Sequence, residues 1–473
     1  MQSTLILGAG PGGTGPLIWA AQQGRLREWL AHGVTILDVQ PQMGGTIGRY
    51  IINSDSLGGV YLECLRPPHG QSAFAPLLAD PVTRELERMR TEFPPLDLVG
   101  EHMRNLGRML AHHVASSPGA HFRPGVRVER LRLRADRSIV AETVDAHGER
   151  KTVVARAAIM AIGGRQDRIT ALRAELLPGV RLDLTDIGKI ILSDELFRPH
   201  GLSRALCLLG KAPRPRVVIL GGSHSAFSSA WLLTRHLSDL FGPGSITILL
   251  RRPPRVFYGS REEAEADGMT VSERDICPAT LRVNRLGGLR GDGRELWRRL
   301  TARPGSEPMN CVVMAPLDEW AESPVRSLLD DATLIVPAFG YRAATVPVYD
   351  VDGTRIRLSA DLGQPAIGRD ARVLTESGSA IDNLFGIGLG TGYRPWGHMG
   401  GEPAFDGQAN SLWLYQNHIG EIVFRGVEEI RNSIDRAPRL ASHRLVTGSD
   451  SSDRVRSVRL TRDGRPSRRD AFR

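Results

Sequence analysis

Residues 4–13 read Thr4-Leu5-Ile6-Leu7-Gly8-Ala9-Gly10-Pro11-Gly12-Gly13, an apolar run that breaks into a string of glycines. A short apolar run bounded by glycine is the pattern of a strand buried on both faces, and Gly8, Gly10 and Gly13 are spaced as G-x-G-x-x-G. In that pattern the first glycine makes the tight turn, the second lets the backbone approach a diphosphate, and the third lets helix pack on strand. A helix-compatible stretch follows to about Leu30, and the next apolar run, Val34-Thr35-Ile36-Leu37, ends in Asp38. A carboxylate there can accept hydrogen bonds from a ribose diol. Strand, glycine turn, helix, strand and terminal acid in this order predict a βαβ unit with a dinucleotide phosphate at the helix N-terminus.

The same grammar returns two hundred residues later. Val217-Val218-Ile219-Leu220 leads into Gly221-Gly222-Ser223-His224-Ser225-Ala226, and a second apolar run, Ile246-Thr247-Ile248-Leu249-Leu250, follows. Serine stands where the second glycine is usual, so Gly221 keeps the turn while Ser223 and Ser225 offer hydroxyls to phosphate. The second strand ends in Arg251-Arg252, with Arg255 close behind, instead of an acid. A guanidinium at that position can fork onto a 2′-phosphate, which points to NADPH over NADH.

Between the two units, Val126–Ile162 alternates apolar and polar residues around short turns at 135–137 and 145–148, which predicts an antiparallel meander. The fold class expected is therefore α/β, with two Rossmann-like dinucleotide-binding domains on parallel sheets, an antiparallel β-meander insert and a disordered basic C-terminal tail. The domain boundaries expected are 1–170 with 336–436 for one domain, 171–335 for the other, and 437–473 for the tail. Residues 253–310 are rich in Arg, Gly and Pro with little periodicity and read as loops and short helices carrying a site or lid.

The 473 residues carry a formal charge of +9, but residues 437–473 hold ten Arg and four Asp, leaving +3 for the other 436. No basic stripe with interleaved aromatics occurs in that body, which argues against nucleic-acid binding. Lys151, Lys189 and Lys211 are the only lysines. The four cysteines, Cys64, Cys207, Cys277 and Cys311, lie far apart, so no zinc ribbon or dithiol centre is expected and no metal ligand set stands out. With no apolar run of membrane-spanning length and no signal-peptide pattern, the expectation is a cytoplasmic protein that does not engage a membrane. A homo-oligomer is left open.

Two dinucleotide fingerprints over 200 residues apart, together with Asp331-Ala332-Thr333-Leu334-Ile335-Val336-Pro337-Ala338-Phe339-Gly340-Tyr341, resemble the two-dinucleotide-domain flavin monooxygenases, nearest their amine N-hydroxylating, lysine/ornithine N-monooxygenase-like branch. The likeness covers roughly residues 1–425. It implies that the first unit holds FAD and the second NADPH, and that Tyr341 belongs to the turn closing the nicotinamide domain. It also places Gly163 of Ala161-Ile162-Gly163-Gly164, Gly388 of the segment 383–390, and Gln408 of Gly407-Gln408-Ala409-Asn410-Ser411 against FAD. The last run is expected to begin a helix facing the flavin pyrimidine edge. Gly45, in the glycine turn after the ribose strand, and then Asn53, Ser54 and Asp55 are expected near the flavin ring, the last three as catalytic residues that position substrate or orient the peroxyflavin. His398, Trp396 and Glu402 lie in a second glycine-rich loop expected close by. Leu389 stands where flavin-disulfide reductases carry Asp, which separates the chain from those enzymes.

The implied activity is transfer of one oxygen atom from O2, through a C4a-hydroperoxyflavin, to a small nucleophilic substrate, with an amine as the expected acceptor. A flavin-dependent NADPH oxidoreductase without oxygen insertion, and a non-catalytic FAD/NADP-binding module, stay open at this stage.

Overall fold

Strand β1, Gln2–Leu7, runs into the glycine turn and helix α1, Pro11–Gln22, and β2, Val34–Asp38, lies parallel to β1 with Thr4 opposite Val34 and Leu7 opposite Leu37. Leu5, Ile6 and Leu7 are wholly buried, each stabilising the fold by roughly 1.5–3 kcal/mol relative to exposure. The computed structural model that shows this describes residues 1–67, 72–317 and 321–436. The expected helix to Leu30 is corrected: α1 stops at Gln22, Gly24 takes φ +70°, and a separate short helix covers Leu26–Ala31. A left-handed residue cannot continue a right-handed helix, and glycine adopts that conformation without penalty.

β3, His121–Pro124, extends the sheet beyond β2, and β4, Val126–Leu133, β5, Ile139–Asp145, and β6, Arg150–Met160, form the expected antiparallel meander. β6 belongs to both parts. Its first half pairs antiparallel with β5, while Ala155–Met160 pairs parallel with β1. The turns fall where glycine or a tolerated left-handed residue allows them, at Arg137 (φ 59°) and Gly148 (φ 83°).

A second sheet is built from β7, Val217–Leu220, β8, Ile246–Leu250, β9, Val312–Pro316, and β10, Leu334–Pro337. All four are parallel in the order β9-β8-β7-β10. β7, β8 and β10 are buried at every position, which is why they read as unbroken apolar runs rather than alternating ones. Helix α2, His224–His236, follows β7 across its glycine turn. The chain then returns to the first sheet, where β11, Ala380–Gly386, lies parallel to β6 with Leu384 opposite Ala158 and Gly386 opposite Met160.

Two parallel Rossmann-type sheets and the meander are thus the architecture read from the sequence. Both sheets lie within one compact unit, Met1–Arg431. The tail expected at 437–473 lies outside the described residues. Among the described residues, no helix is long and apolar enough to cross a membrane, and no group of three His, Cys, Asp or Glu side chains could hold a metal.

Candidate active site

The first glycine turn is packed at every position but one. Gly8 has φ +98°, and a Cβ there would meet the Ala161 carbonyl; a Cβ on Gly12 would lie 2.9 Å from the Ile387 carbonyl oxygen. At Gly13 it would lie 2.9 Å from the Gly8 carbonyl carbon and closer still to its oxygen, so helix and strand touch directly there. Gly10 differs. A Cβ there would face only Gly45 Cα, at 3.7 Å, while Gly163 and Gly388 have nothing within 4 Å of theirs.

Gly10, Gly12, Gly45 and Gly388 therefore meet in a bare-backbone cradle at the N-terminus of α1, of the kind a diphosphate fills. Asp38 stands at the end of β2, where its carboxylate accepts the backbone N–H groups of Ala9 and, at 2.7 Å, Gln40. It fixes the turn through these bonds, and carboxylate lone pairs remain for a ribose hydroxyl. These residues fit the dinucleotide assigned to the first unit.

The second turn opens onto a cavity of about 1490 Å³. Gly221 takes φ +142° with the Ala338 carbonyl oxygen 2.7 Å from a built Cβ, so only glycine turns there. Ser223 caps α2 without using its hydroxyl, and both Ser223 and Ser225 line the cavity. Arg251, Arg252 and Arg255 line it from the end of β8. Arg251 donates to the Glu175 carbonyl at 2.9 Å, and Arg252 pairs with Asp406 at 2.8 Å, both at exposed positions where an incoming phosphate can compete.

The flavin-side segments reach the same cavity. Leu389, Gln408, Asn410 and Ser411 all line it. Gln408 is a brace: its Oε1 accepts Gly392 N–H at 3.0 Å and its Nε2 donates to the Tyr341 carbonyl at 3.1 Å. The helix expected near 407 starts one residue after Ser411, whose hydroxyl caps Leu412–Gln416. Tyr341 directs its hydroxyl to Asp194 at 3.0 Å, a carboxylate shared with Tyr50 at 2.6 Å. Burial and the neighbouring Tyr50 push the Tyr341 phenol far up, so it stays protonated.

The three residues expected to position substrate separate. Ser54 is buried and shares hydrogen bonds with the Tyr61 hydroxyl and with Ser56, as a loop brace. Asn53 donates to Asp292 at 3.1 Å and does not line the cavity. Asp55 does line it, and its charge reaches Tyr61, His224 and Arg290. Glu402 is buried and accepts the N–H groups of Leu286 and Gly287 at 3.0 Å each, which ties the 390–402 loop to the 282–290 segment. His398 lines the cavity, and Trp396 donates to the Arg369 carbonyl at 3.2 Å.

Sequence reasoning missed the arginines of that segment. Arg282, Arg285 and Arg290 all line the cavity. In a chain with 61 basic residues, nearly all Arg, single arginines carry no signal. The available signal was local, since no acid occurs between Asp275 and Asp292 while three arginines do.

No family model matches the chain. It is 32% identical over 439 residues, covering 90% of this chain and 97% of the relative, to the CMP-5′-(3-aminopropyl)phosphonate hydroxylase of Streptomyces rubellomurinus. Solved structures that share its fold include two amine hydroxylases. The reduced ornithine hydroxylase of Pseudomonas aeruginosa superposes with a TM-score of 0.52 at 14% identity, covering 91% of this chain and 100% of that one. The FAD-bound cadaverine monooxygenase of desferrioxamine biosynthesis from Erwinia amylovora gives 0.53 at 12% identity, covering 91% and 95%. With the two glycine turns in place and similarity to that hydroxylase along nearly the whole chain, the protein belongs to the FAD- and NADPH-dependent monooxygenases and shares the fold of the ornithine and cadaverine N-hydroxylases.

Proposed function

We propose that the enzyme converts the primary amine of a phosphonate-bearing, nucleotide-linked substrate to a hydroxylamine. The overall change is RNH2 + O2 + NADPH + H⁺ → RNHOH + H2O + NADP⁺. The observation that carries this reading is the single cavity lined from one side by Gly221–Ser225 and Arg251–Arg255 and from the other by Leu389 and Gln408–Ser411. Nicotinamide, flavin edge and amine can meet there. The relative's named substrate, an aminopropyl phosphonate joined to CMP, supplies the substrate class.

In this reading residues 1–170 and 336–436 form the flavin-binding domain and 171–335 the NADPH-binding domain. Gly10, Gly45, Gly163 and Gly388 give the FAD a backbone surface, Gly8 and Gly13 shape the turn that presents it, and Asp38 takes a ribose hydroxyl. Gly221, Ser223, Ser225, Arg251 and Arg252 hold the NADPH phosphates. Bound flavin supplies the redox chemistry that passes reducing equivalents from NADPH to O2 and one oxygen atom to the amine. The chain orients the partners and excludes water. Gln408 and Tyr341 fix the loop that backs the flavin, and Asp55 gives an arriving ammonium a counter-charge.

The test is hydroxylamine yield per NADPH oxidised across a panel of amines that includes CMP-5′-(3-aminopropyl)phosphonate and 3-aminopropylphosphonate. Coupled product from the phosphonates supports the proposal. NADPH oxidation that gives no N-oxygenated product from any amine would leave the dehydrogenase reading in its place.

A further inference from the structure

Arg282, Arg285 and Arg290 share one wall of the cavity; burial and the charges of Arg282 and Arg285 disfavour the charge on Arg290, while Asp55 and Glu402 favour it. Among the described residues none of the three has a carboxylate oxygen within 4 Å, whereas Arg198, Arg204, Arg252 and Arg298 each do. Arg290 is the most confined. Its guanidinium lies over the Phe257 ring at 4.2 Å, one amino group donates to the Arg285 carbonyl, and its Nε is sealed from solvent with no hydrogen-bond partner. His224 faces the same space, also with a sealed, unpartnered Nε2. Arg282 makes no side-chain hydrogen bond, and Arg285 reaches only the Gly400 carbonyl at 3.2 Å and the Cys277 sulfur.

Arg285 and Arg290 are half-buried and Arg282 is exposed; a guanidinium partly taken from water is stabilised by an anion or by hydrogen-bond acceptors, and the sealed Nε of Arg290 has neither. Of the two carboxylates whose charge reaches Arg290, Glu402 is committed to the backbone of Leu286 and Gly287, and Asp55 makes no ion pair within 4 Å of any of the three guanidiniums. The missing partner is therefore a ligand oxyanion. Its identity follows from where the arginines stand. The NADPH phosphates already have the Gly221–Ser225 turn and the arginines at the end of β8. The 282–290 segment is instead tied to the flavin-side loop through Glu402 and through Arg285 to Gly400, so its guanidiniums flank the place where the amine must react.

We infer that Arg282, Arg285 and Arg290 form a substrate subsite for a phosphate-class oxyanion, and that this subsite selects amines carrying a phosphonate or phosphate over neutral diamines. The inference rests on the N-hydroxylation reading for its substrate and on the cavity for its site. Planar guanidiniums recognise such oxyanions bidentately.

The test measures binding apart from turnover. Calorimetric titration of the FAD-loaded protein with CMP-5′-(3-aminopropyl)phosphonate, and separately with NADP⁺, is compared for wild type, Arg282→Ala, Arg290→Lys and the double variant R282A/R285A. Loss of one charge-assisted contact should weaken phosphonate binding about tenfold in Arg282→Ala, and more in the double variant, with NADP⁺ affinity within about twofold of wild type. Arg290→Lys keeps the charge but loses the fork, and should weaken the phosphonate by a smaller factor. Unchanged phosphonate binding overturns the subsite. Equal weakening toward NADP⁺ also overturns it and assigns the arginines to the dinucleotide diphosphate. If the double variant does not fold, Arg282→Ala, which breaks no internal bond, decides alone. Propylamine separates the two readings. Wild type hydroxylating it as efficiently as the phosphonate refutes the subsite and leaves N-hydroxylation standing, whereas tight phosphonate binding without hydroxylamine refutes N-hydroxylation and leaves the subsite.

Discussion

Gly10 and Gly13 sit three residues apart in one turn, yet a methyl group on each should do different damage. At Gly10 the backbone has φ −74°, open to any L-residue, and the nearest atom to a Cβ is Gly45 Cα at an ordinary 3.7 Å. Gly10→Ala loses a modest N-cap preference, about 1 kcal/mol or less, and regains about 0.4–1 kcal/mol by restricting the unfolded chain. Folding should change by less than about 1 kcal/mol, or a few degrees in Tm at most. The methyl group nevertheless stands in the cradle. Displacing a phosphate from one backbone N–H forfeits roughly 1.5–3 kcal/mol, so FAD affinity should fall about ten- to a hundredfold. At Gly13 the Cβ would lie inside the Gly8 carbonyl, and α1 must be driven off β1 at a cost of roughly 1–3 kcal/mol or more. Circular-dichroism melting of the apoproteins and fluorescence titration with FAD check both. The account expects Gly10→Ala to fold like wild type and bind FAD poorly, and Gly13→Ala to lose stability and flavin together. Stoichiometric, tightly held FAD in Gly10→Ala would refute the cradle, as would equal melting losses in the two variants.

The double change R251A/R252A should raise KM for NADPH about ten- to a hundredfold, because each charge-assisted phosphate contact is worth roughly 1.5–3 kcal/mol, while NADH kinetics stay within about twofold. Equal weakening toward both nucleotides would show that the pair acts through folding. His102 is buried between Thr83 and the Tyr61 carbonyl, and burial pushes its pKa down to about 4. It is neutral in the fold and protonated in the unfolded chain below about pH 6.5, so its contribution is intact above that pH and lost as pH falls toward 4, by roughly 3 kcal/mol over the window. Tm measured against pH should therefore fall less steeply for His102→Gln than for wild type, and parallel curves would contradict this. Ser54→Ala strands the buried Tyr61 hydroxyl and should cost roughly 1–3 kcal/mol of stability with turnover within about twofold of wild type. Lost turnover at unchanged Tm would make Ser54 a reacting group.

Most of the fold was legible because its decisive elements are locally encoded. β1 and β7 are buried on both faces, so their apolar runs and the glycines after them mark strand and turn without tertiary information. The ends were less legible. A glycine is tolerated inside a helical stretch as well as at its end, so the sequence around Gly24 does not say that it turns left-handed, and a single helix to Leu30 satisfied the same pattern. Around the site, residues that shape backbone were readable, since Gly8, Gly13 and Gly221 are needed by local geometry. Side-chain roles depend on what the fold brings opposite. Ser54, Asn53 and Asp55 are adjacent in sequence, but Tyr61 claims the first, Asp292 the second, and only the third meets the cavity. Asp194, which holds Tyr50 and Tyr341 together, lies 144 and 147 residues from its partners and had no sequence signature. The arginines at 282–290 gain meaning only when Glu402 and Gly400, more than 110 residues on, set them beside the flavin-side loop.

The most direct measurement is mass spectrometry of the product formed from CMP-5′-(3-aminopropyl)phosphonate by the FAD-loaded enzyme with NADPH under oxygen-18 gas. The account predicts a hydroxylamine that carries one labelled oxygen atom on nitrogen, formed in proportion to the NADPH consumed. Unaltered amine beside labelled hydrogen peroxide, with NADPH fully oxidised, would contradict it.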